Sequence, residues 1–316
     1  MSGAGDELLE ELRPQAFAIA YRMLGSVTEA EDLVQEGLLR LHRAMEGGEE
    51  IENPRAYLAT VITRLGIDEL RSARSRRETY VGEWLPEPIL TAGTPGAPRV
   101  ETDPEAHAEM ADSLSTAFLV VLESLSPEQR AAFLLRDVFD YPYGRIAEIV
   151  GTSEDNARQL ASRARSQVTS GRGRFEASRE RSEKLADRFV AAVEQGDLAD
   201  LEALLADDVV MRGDGGGKVP ALARALHGVR HVSRALAQFA KIARRADLNW
   251  ERAEVNGQPG VIARDADGGL IGVISLDFAG GRIQGISSVV NPDKLGHLGE
   301  LGDPERLLRA RAGEGR

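Results

Sequence analysis

Apolar positions near the middle of the chain recur at spacings of three and four, as on one face of an α-helix. Ile146, Ile149 and Val150 give a short helix its apolar face. Gly151 then supplies a residue that tolerates a left-handed turn, and Ser153 is placed to cap the next helix. The pattern predicts a helix-turn-helix.

The second helix of this pair has one apolar and one polar side. The apolar side carries Ala157, Leu160, Ala161, Ala164 and Val168. The polar side carries Asp155, Arg158, Gln159, Ser162 and Ser166, with Arg163 and Arg165 on its flanks. A polar face that bears arginine is what reading the DNA major groove requires. Because other helical hairpins share this pattern, it does not by itself establish DNA binding.

The same periodicity predicts a helical region at residues 8–77, followed by a linker. Its predicted helices are Arg13–Leu24, one at about 28–45 capped by Thr28, and one at 54–76 that Pro54 begins. Residues 78–110 hold five prolines and three glycines, which indicates a linker rather than a continuous fold. Residues 111–170 return to helices and end with the helix-turn-helix.

From residue 181 onward strand patterns join the helices. Two helices precede a strand at 208–212, a helix at 229–245 and four strand-like runs. Asn256-Gly257, Asp267-Gly268 and Gly280-Gly281 separate those runs, and each pair is a strong hairpin signal. Residues 181–295 are therefore predicted to form an α+β domain with helices on one face of a curved sheet. The tail, 296–316, is expected to be flexible.

Composition excludes several classes of protein. The 316 residues include no cysteine, so disulfides and cysteine-bound metals are ruled out, and the five histidines have no metal-ligand spacing. We expect no metal and no cofactor. The sequence has neither a long apolar run nor a secretory signal, so we expect a cytoplasmic protein with no membrane partner.

The charge balance argues against a protein that binds DNA without help. The net charge is −12, and residues 1–180 carry 20 basic and 31 acidic residues. Unassisted binding depends on neutralising phosphates, and domains that achieve it are usually basic. We therefore expect a larger partner to assist DNA contact.

The helix predicted at 54–76 is a second candidate for nucleic-acid contact, since its basic residues increase toward its end. Arg64, Asp68 and Arg71 share one of its faces. The alternative is a solvated face joined by Arg–Asp pairs.

Three segments together resemble the extracytoplasmic-function (ECF) sigma factors of bacterial RNA polymerase. They are AEDLVQEGLLRLHRA (30–44), NPRAYLATVITRLGIDELRSARSRR (53–77) and YGRIAEIVGTSEDNARQLASRARSQV (143–168). The resemblance implies a transcription initiation factor with sigma domain 2 at 8–77 and sigma domain 4 at 111–170. Core RNA polymerase and promoter DNA would be its partners, and the acidic linker would enter the RNA channel.

The resemblance also implies a role for particular residues. The residues that would contact polymerase are Asp32, Gln35 and Glu36. The minus-ten element would be met by Asn53, Arg55, Arg64, Asp68 and Arg71, with loop 47–53 as the pocket for an extruded base. The minus-thirty-five element would be read by Arg158, Gln159, Ser162 and Arg163, with Arg165 on phosphate.

The C-terminal region resembles a SnoaL-like domain of the NTF2-like superfamily. WLPEP (84–88), DGGGK (214–218) and NPDKL (291–295) match the sigma subgroup that carries this extension. The resemblance implies a regulator that contacts the sigma domains and linker through Trp84, Leu85, Pro86, Asp214, Lys218, Asn291, Pro292 and Asp293. Polar groups for an interior pocket would be Asp214, His227, His231, Asn249 and Asp277.

We expect no catalytic residue, because residues 181–316 contain no tyrosine to serve as an oxyanion donor. Whether the pocket binds a small molecule is left open. Two alternatives remain at this point. One is a one-component DNA-binding regulator that senses a small molecule, and the other is a SnoaL-like isomerase or cyclase.

Overall fold

The computed structural model describes residues 2–91, 113–171 and 179–312, which fall into two compact units. The first unit holds residues 2–79 and 119–171, and the second holds residues 80–91, 113–118 and 179–312. The linker predicted at 78–110 is described only as far as residue 91. Its remaining residues lie outside the described part of the chain.

Three helices open the first unit: α1 (Ser2–Leu24), α2 (Val27–Glu46) and α3 (Pro54–Glu78). The fully buried side chains of these helices include Leu12, Val34 and Ile62. The N-cap predicted at Thr28 is wrong. Ser26 has the extended backbone of a cap (φ −118, ψ 130) and its Oγ accepts from Glu29 N, whereas Thr28 already lies in the first helical turn.

The helix-turn-helix prediction is confirmed in the second half of this unit. The elements of residues 116–171 are α4 (Thr116–Leu122), α5 (Pro127–Phe133), a π-helical turn (Leu134–Val138), α6 (Tyr143–Val150) and α7 (Glu154–Gly171), of which α4 begins in the second unit and the others lie in the first. Gly151 ends α6 in the left-handed region at φ 76, and Ser153 Oγ accepts from Asn156 N at the start of α7. Ala157, Ala161 and Ala164 are fully buried, so α7 packs on the apolar face that its periodicity indicated.

The second unit is an α+β domain, as predicted. Its elements are α8 (Arg179–Gln195), α9 (Leu198–Leu204), β1 (Leu205–Asp214), β2 (Leu226–His227), α10 (Val229–Arg245), β3 (Asn249–Val255), β4 (Gln258–Arg264), β5 (Leu270–Ala279), β6 (Arg282–Val289) and α11 (Glu305–Ala312). The sheet order is β2-β1-β6-β5-β4-β3, and only the β1–β6 pair is parallel. The two-residue strand β2 was not predicted, because two residues show no alternation.

The helices pack on one face of this sheet, as the sequence pattern predicted. Phe189 of α8 and Leu236 of α10 meet Leu276 and Ile286 of the sheet in one apolar core. The predicted hairpins form: Asn256 (φ 52) and Gly257 (φ 73) both have the positive φ values of a type I′ turn. Alternate sheet residues therefore face away from the helices.

The tail that we expected to be flexible from residue 296 is ordered as far as Ala312. Leu301 bridges to Leu270, and Leu307 of α11 is buried in a cluster against α10 and the sheet. Asp265 Oδ2 accepts from Asp303 N, which fixes the chain before α11 begins. The glycine and charge content of this segment concealed these anchoring residues from the sequence analysis.

Candidate nucleic-acid interface

Most of the residues predicted to meet the minus-ten element have partners within the protein. Asn53 Oδ1 accepts from Ala56 N at 3.0 Å and so caps α3. Arg55 is ion-paired with Glu11. Asp68 lies 3.2 Å from Arg71, which is the Arg–Asp pair of the alternative interpretation. These contacts leave the side chains exposed but already engaged.

Arg64 connects α3 to the helix-turn-helix. Its Nε donates to Ile149 O at 3.1 Å and its Nη2 donates to Glu148 O at 2.8 Å. Both carbonyls are at the C-terminal end of α6, where the helix dipole favours a cation. Arg145 of α6 makes the return contact, donating to Thr60 Oγ1 of α3 at 3.1 Å. The two predicted DNA-contacting modules therefore hold each other within the first unit.

Further arginines reinforce this packing through contacts that the sequence analysis did not predict. Arg71 of α3 also pairs with Glu128 of α5 at 2.7 Å. Arg130 of α5 is buried, donates to Met23 O at 2.7 Å and pairs with Glu123 at 2.8 Å. Burial lowers the pKa of Arg130 to about 9, which leaves it charged at neutral pH. A buried arginine in a helix has the same spacing signature as an exposed one, so only packing identifies it.

The polar face of α7 divides into free and engaged residues. Gln159, Ser162 and Arg163 are exposed and make no hydrogen bond or ion pair with the described residues. Arg158 lies 4.8 Å from the centre of the Tyr143 ring and pairs with Glu154. This face therefore presents one unpaired guanidinium, that of Arg163, beside two neutral polar groups.

Arg165 makes a two-point contact with Asp137, at 2.7 and 2.9 Å. Hydrogen bonding to Asp137 is the largest of the effects that raise the pKa of Arg165. The carboxylate occupies the fork that a phosphate would use.

The start of α2 carries the residues predicted to meet polymerase. Asp32 and Gln35 are exposed, and Glu36 pairs with Arg40 at 2.7 Å. Leu39 lies on the same helix and is 39% exposed. The surface combines acidic groups with an apolar side chain, as a protein-binding surface does.

Residues 80–91 dock onto the C-terminal unit through Asp214, whose side chain is fully buried. Asp214 Oδ1 accepts from Tyr80 Oη at 2.5 Å, and Oδ2 accepts from Leu85 N at 2.8 Å. Lys294 Nζ lies 2.8 Å from Oδ2 and completes a buried ion pair. Asn291 Nδ2 donates to Tyr80 Oη at 2.9 Å. We call Tyr80, Asp214, Asn291 and Lys294 the clamp.

Aromatic rings from residues 80–91 cover the charge of Lys294. Its Nζ lies 4.1 Å from the centre of the Trp84 ring and 5.1 Å from that of Tyr80, within cation–π range. Lys294 also donates to Leu85 O. Burial and the bond to Asp214 raise the pKa of Tyr80, so its hydroxyl stays protonated and remains a donor.

The rest of this segment is held by backbone pairing. Ile89 and Asn256 exchange two hydrogen bonds, and Thr91 N donates to Glu254 O at 2.9 Å. His297 Nε2 lies 2.8 Å from Pro88 O. Together with the clamp, these contacts fix the segment along its described length.

The triple glycine permits close approach at the clamp. A Cβ on Gly216 (φ 59) would lie 2.3 Å from Asn291 Nδ2, and one on Gly217 would lie 3.0 Å from Val81. This loop therefore requires glycine for both its backbone conformation and its packing.

Of the predicted regulatory residues, the structure brings Trp84, Leu85, Asp214 and Asn291 together. Pro86 is buried beside them, and Pro292 begins the short turn that carries Lys294. Lys218 and Asp293 pair with each other at the surface, 2.7 Å apart, with more than half of each side chain exposed. Sequence reasoning missed Tyr80 and Lys294, although Lys294 lies inside the quoted NPDKL motif.

The predicted interior polar pocket does not form from the proposed residues. Asp214 binds residues 80–91, and Asp277 alternates with Ile274, Leu276 and Phe278, so it faces away from the helices. The other three residues, His227, His231 and Asn249, are exposed. In residues 179–312 an apolar cluster lies between the sheet and the helices, and Ser182 and Ser233 are also buried on those helices.

Comparison with known proteins places these elements in a family. Residues 8–76 match the Sigma-70 region 2 model, and residues 115–168 match the Sigma-70 region 4 model. The ECF RNA polymerase sigma factor SigJ of Mycobacterium tuberculosis is 39% identical over 318 residues, which cover 97% of each chain. The chain belongs to the ECF RNA polymerase sigma factor family.

Further comparisons agree with this assignment. The probable ECF sigma factor SigI of M. tuberculosis is 31% identical over 90% of this chain and 92% of its own. The crystal structure of M. tuberculosis SigJ matches with a TM-score of 0.71 and 36% identity, covering 92% of this chain and 97% of that one. As an ECF sigma factor, the chain is a transcription initiation factor that directs RNA polymerase to promoters.

No group of three histidine, cysteine or acidic side chains in the described ranges is arranged to hold a metal ion. No helix within those ranges combines the length and apolarity needed to cross a bilayer.

Proposed function

We propose that this ECF sigma factor reads promoters with α3 and α7 once it is mounted on core polymerase, and that its C-terminal unit limits this step by holding residues 80–91. The observation that carries the proposal is the clamp. It buries a Lys–Asp pair that closes over Tyr80 and Leu85. A segment held at this many points is not available to a competing partner.

The position of residues 80–91 in the chain gives the clamp its effect. They follow α3 directly and begin the segment that joins it to the helix-turn-helix. In the sigma factors that this chain resembles, that segment enters the RNA channel of polymerase. The same residues cannot be docked on the C-terminal unit and extended through polymerase, so docking and engagement compete.

A change to the buried ion pair should alter this competition. Removing one partner of a buried ion pair costs about 3–5 kcal/mol, because the other charge stays buried. A loss of that size in docking would shift a two-state population by more than a hundredfold. Lys294 and Asp214 both belong to the C-terminal unit, so substituting Lys294 would weaken docking by leaving Asp214 buried without its counter-charge.

Opening of the first unit is the second part of the proposal. Arg64 and Arg165 are held by backbone carbonyls and by Asp137, and both would exchange these partners for DNA. Such an exchange replaces one charge-assisted hydrogen bond with another, so its net cost is small. Contact of polymerase with Asp32, Gln35 and Leu39 of α2 would supply the driving force.

The proposed promoter contacts come mainly from the side chains of α7 that have no partner among the described residues. Arg163 would bind guanine through its two-nitrogen fork, with Gln159 and Ser162 beside it in the major groove and Arg165 on phosphate. A good bidentate contact contributes about 1–3 kcal/mol of discrimination between bases. The charge of −11 over residues 1–180 confines this reading to the polymerase-bound state.

In this proposal the C-terminal unit regulates and does not catalyse. An apolar cluster lies between the helices and the sheet, and residues 181–316 contain no tyrosine to donate to an oxyanion. Among the described residues of this unit, no contact favours an isomerase or a small-molecule-sensing regulator. Because its template and its polymerase are cytoplasmic, we assign the protein to the cytoplasm.

Run-off transcription with core polymerase tests the proposal. A template promoter is first obtained by sequencing the transcripts that the holoenzyme makes from genomic fragments. We expect full-length Lys294→Met to give severalfold more transcript than the wild type at limiting polymerase. Lys218→Met removes only an exposed pair and serves as the control. Equal activity of the wild type and Lys294→Met would show that the clamp does not limit engagement.

A further inference from the structure

Helix α10 (Val229–Arg245) has a charge distribution unlike the rest of the protein. Its 17 residues include five arginines and lysines and no acidic residue. The whole of residues 181–316, by contrast, carries 19 basic and 20 acidic residues. A helix this basic in a chain of net charge −12 is not explained by average composition.

The cations of α10 lie in one line on its exposed face. At 100° per residue the exposed side chains of Arg230, Arg234, Lys241 and Arg245 fall within about 60° of one another. They span 15 residues, which is about 22 Å along the helix. The buried face is formed by Val232, Leu236 and Ala240, so packing of the helix fixes the direction in which the charges point.

Three of these cations lack the ion pairs found on other exposed helices. On α8, Lys184 pairs with Glu180, Arg188 with Asp200 and Arg179 with Glu183. Arg230, Arg234 and Lys241, by contrast, make no ion pair with any described residue. Such i,i+4 pairing is the ordinary way in which a solvated helix face balances its charge. Its absence leaves a row of positive charge directed at solvent.

We infer that this face of α10 is a docking surface for the phosphate backbone of duplex DNA. A straight row of cations on a rigid helix matches a polyanion whose charges are closely and regularly spaced, one per 1.7 Å of duplex axis. A folded acidic protein presents carboxylates at irregular positions and heights, which a straight row matches poorly. The contact involves backbone charge, so it carries affinity but no sequence preference.

This contact goes beyond the promoter reading proposed above, which assigns DNA contact to α3 and α7 only. The face of α10 would add a DNA contact in the C-terminal unit. The clamp and α10 are on different elements of the same unit, so one can be altered without the other.

Fluorescence anisotropy with a labelled 30-base-pair duplex of arbitrary sequence tests the inference on the full-length protein. The variant is Arg230→Gln/Arg234→Gln/Lys241→Gln. The control, Lys184→Gln/Arg188→Gln/Arg252→Gln, changes the net charge equally but removes only exposed cations that already have acidic partners. Circular dichroism melting establishes that both are folded.

Three lost phosphate contacts should lower the slope of log K against log salt by about 2.7. Between 50 and 200 mM salt the wild type should therefore lose about 40-fold more affinity than the α10 variant. The control should retain the wild-type slope. The inference is overturned if the wild type does not bind the duplex at 50 mM salt, or if variant and control have equal slopes.

Titration with core polymerase separates a protein partner from DNA. If the α10 variant binds polymerase more weakly and the duplex as well as the control does, the face docks on protein and the inference is wrong. Arg163→Gln gives the independent check on promoter reading, because it should alter base preference while leaving the salt slope on arbitrary DNA nearly unchanged.

Discussion

Replacing Lys294 with methionine should release residues 80–91 from the C-terminal unit while leaving that unit folded. Methionine fills similar volume but removes the charge that Asp214, fully buried, relies on. Loss of one partner of a buried pair costs about 3–5 kcal/mol. Asp214 keeps its bonds from Tyr80, Leu85 and Gly216, so we expect the lower end of that range, about 3 kcal/mol.

Amide hydrogen exchange reports this loss residue by residue. The Leu85 amide donates to Asp214, so its protection measures docking directly. A change of about 3 kcal/mol corresponds to roughly 150-fold faster exchange, since 1.4 kcal/mol is a factor of ten. Core amides of β5 should exchange at the wild-type rate. Lys218→Met, which breaks a surface pair, should change exchange at Leu85 by less than about fivefold.

Two results would refute the reasoning. Unchanged exchange at Leu85 would mean that the buried pair does not hold residues 80–91. Equal acceleration at Leu85 and in β5 would mean that Lys294 stabilises the whole unit instead. Adding Asp214→Asn to Lys294→Met should recover part of the protection, because the neutral amide no longer lacks a counter-charge.

Other contacts give further predictions. Gly216→Ala should speed exchange at Leu85, because a Cβ there meets Asn291, whereas Gly280→Ala has open space at nearly the same φ and should not; proteolysis at residues 80–91 would check the difference. Partial burial raises the pKa of Glu128, but hydrogen bonds from Arg71 and neighbouring groups outweigh this effect and lower it overall. The Arg71–Glu128 contact should therefore stabilise the first unit above pH 4.5 and weaken as the pH falls below that value. In thermal melting at pH 3–6, the Glu128→Gln variant should lack the loss of stability that protonation of Glu128 causes in the wild type. Arg163→Ala should weaken promoter binding by the holoenzyme by about 1–3 kcal/mol and relax base preference at one position, which competition with promoter variants would detect.

The positions of the helices, strands and turns in this chain are determined largely by the local sequence. Asn256-Gly257 and Gly280-Gly281 need positive φ values that few residues adopt, so the hairpins could be read from two letters each. Gly151 and Ser153 marked the turn between α6 and α7 for the same reason. Where the signal was shorter than one period, as in the two-residue strand β2, prediction had nothing to use.

The contacts of the site depend on residues distant in sequence, and these were predictable only in part. Trp84, Asp214 and Asn291 came from motifs whose glycines and prolines indicated special geometry. Tyr80 completes the same cluster from a position with no periodic or turn signal, and Lys294 lies inside the NPDKL motif but was not among the predicted residues. Arg64 was predicted for DNA, yet its present partners are carbonyls that every residue carries, so no sequence pattern could reveal them.

Spin–spin broadening between two nitroxides tests most directly whether polymerase binding releases residues 80–91. The protein has no cysteine, so Val81→Cys and Lys218→Cys place two labels uniquely, on either side of the close contact between Val81 and Gly217. We predict strong dipolar broadening in the free protein and its loss when core polymerase is added. Broadening that persists unchanged in a transcriptionally active holoenzyme would contradict the account.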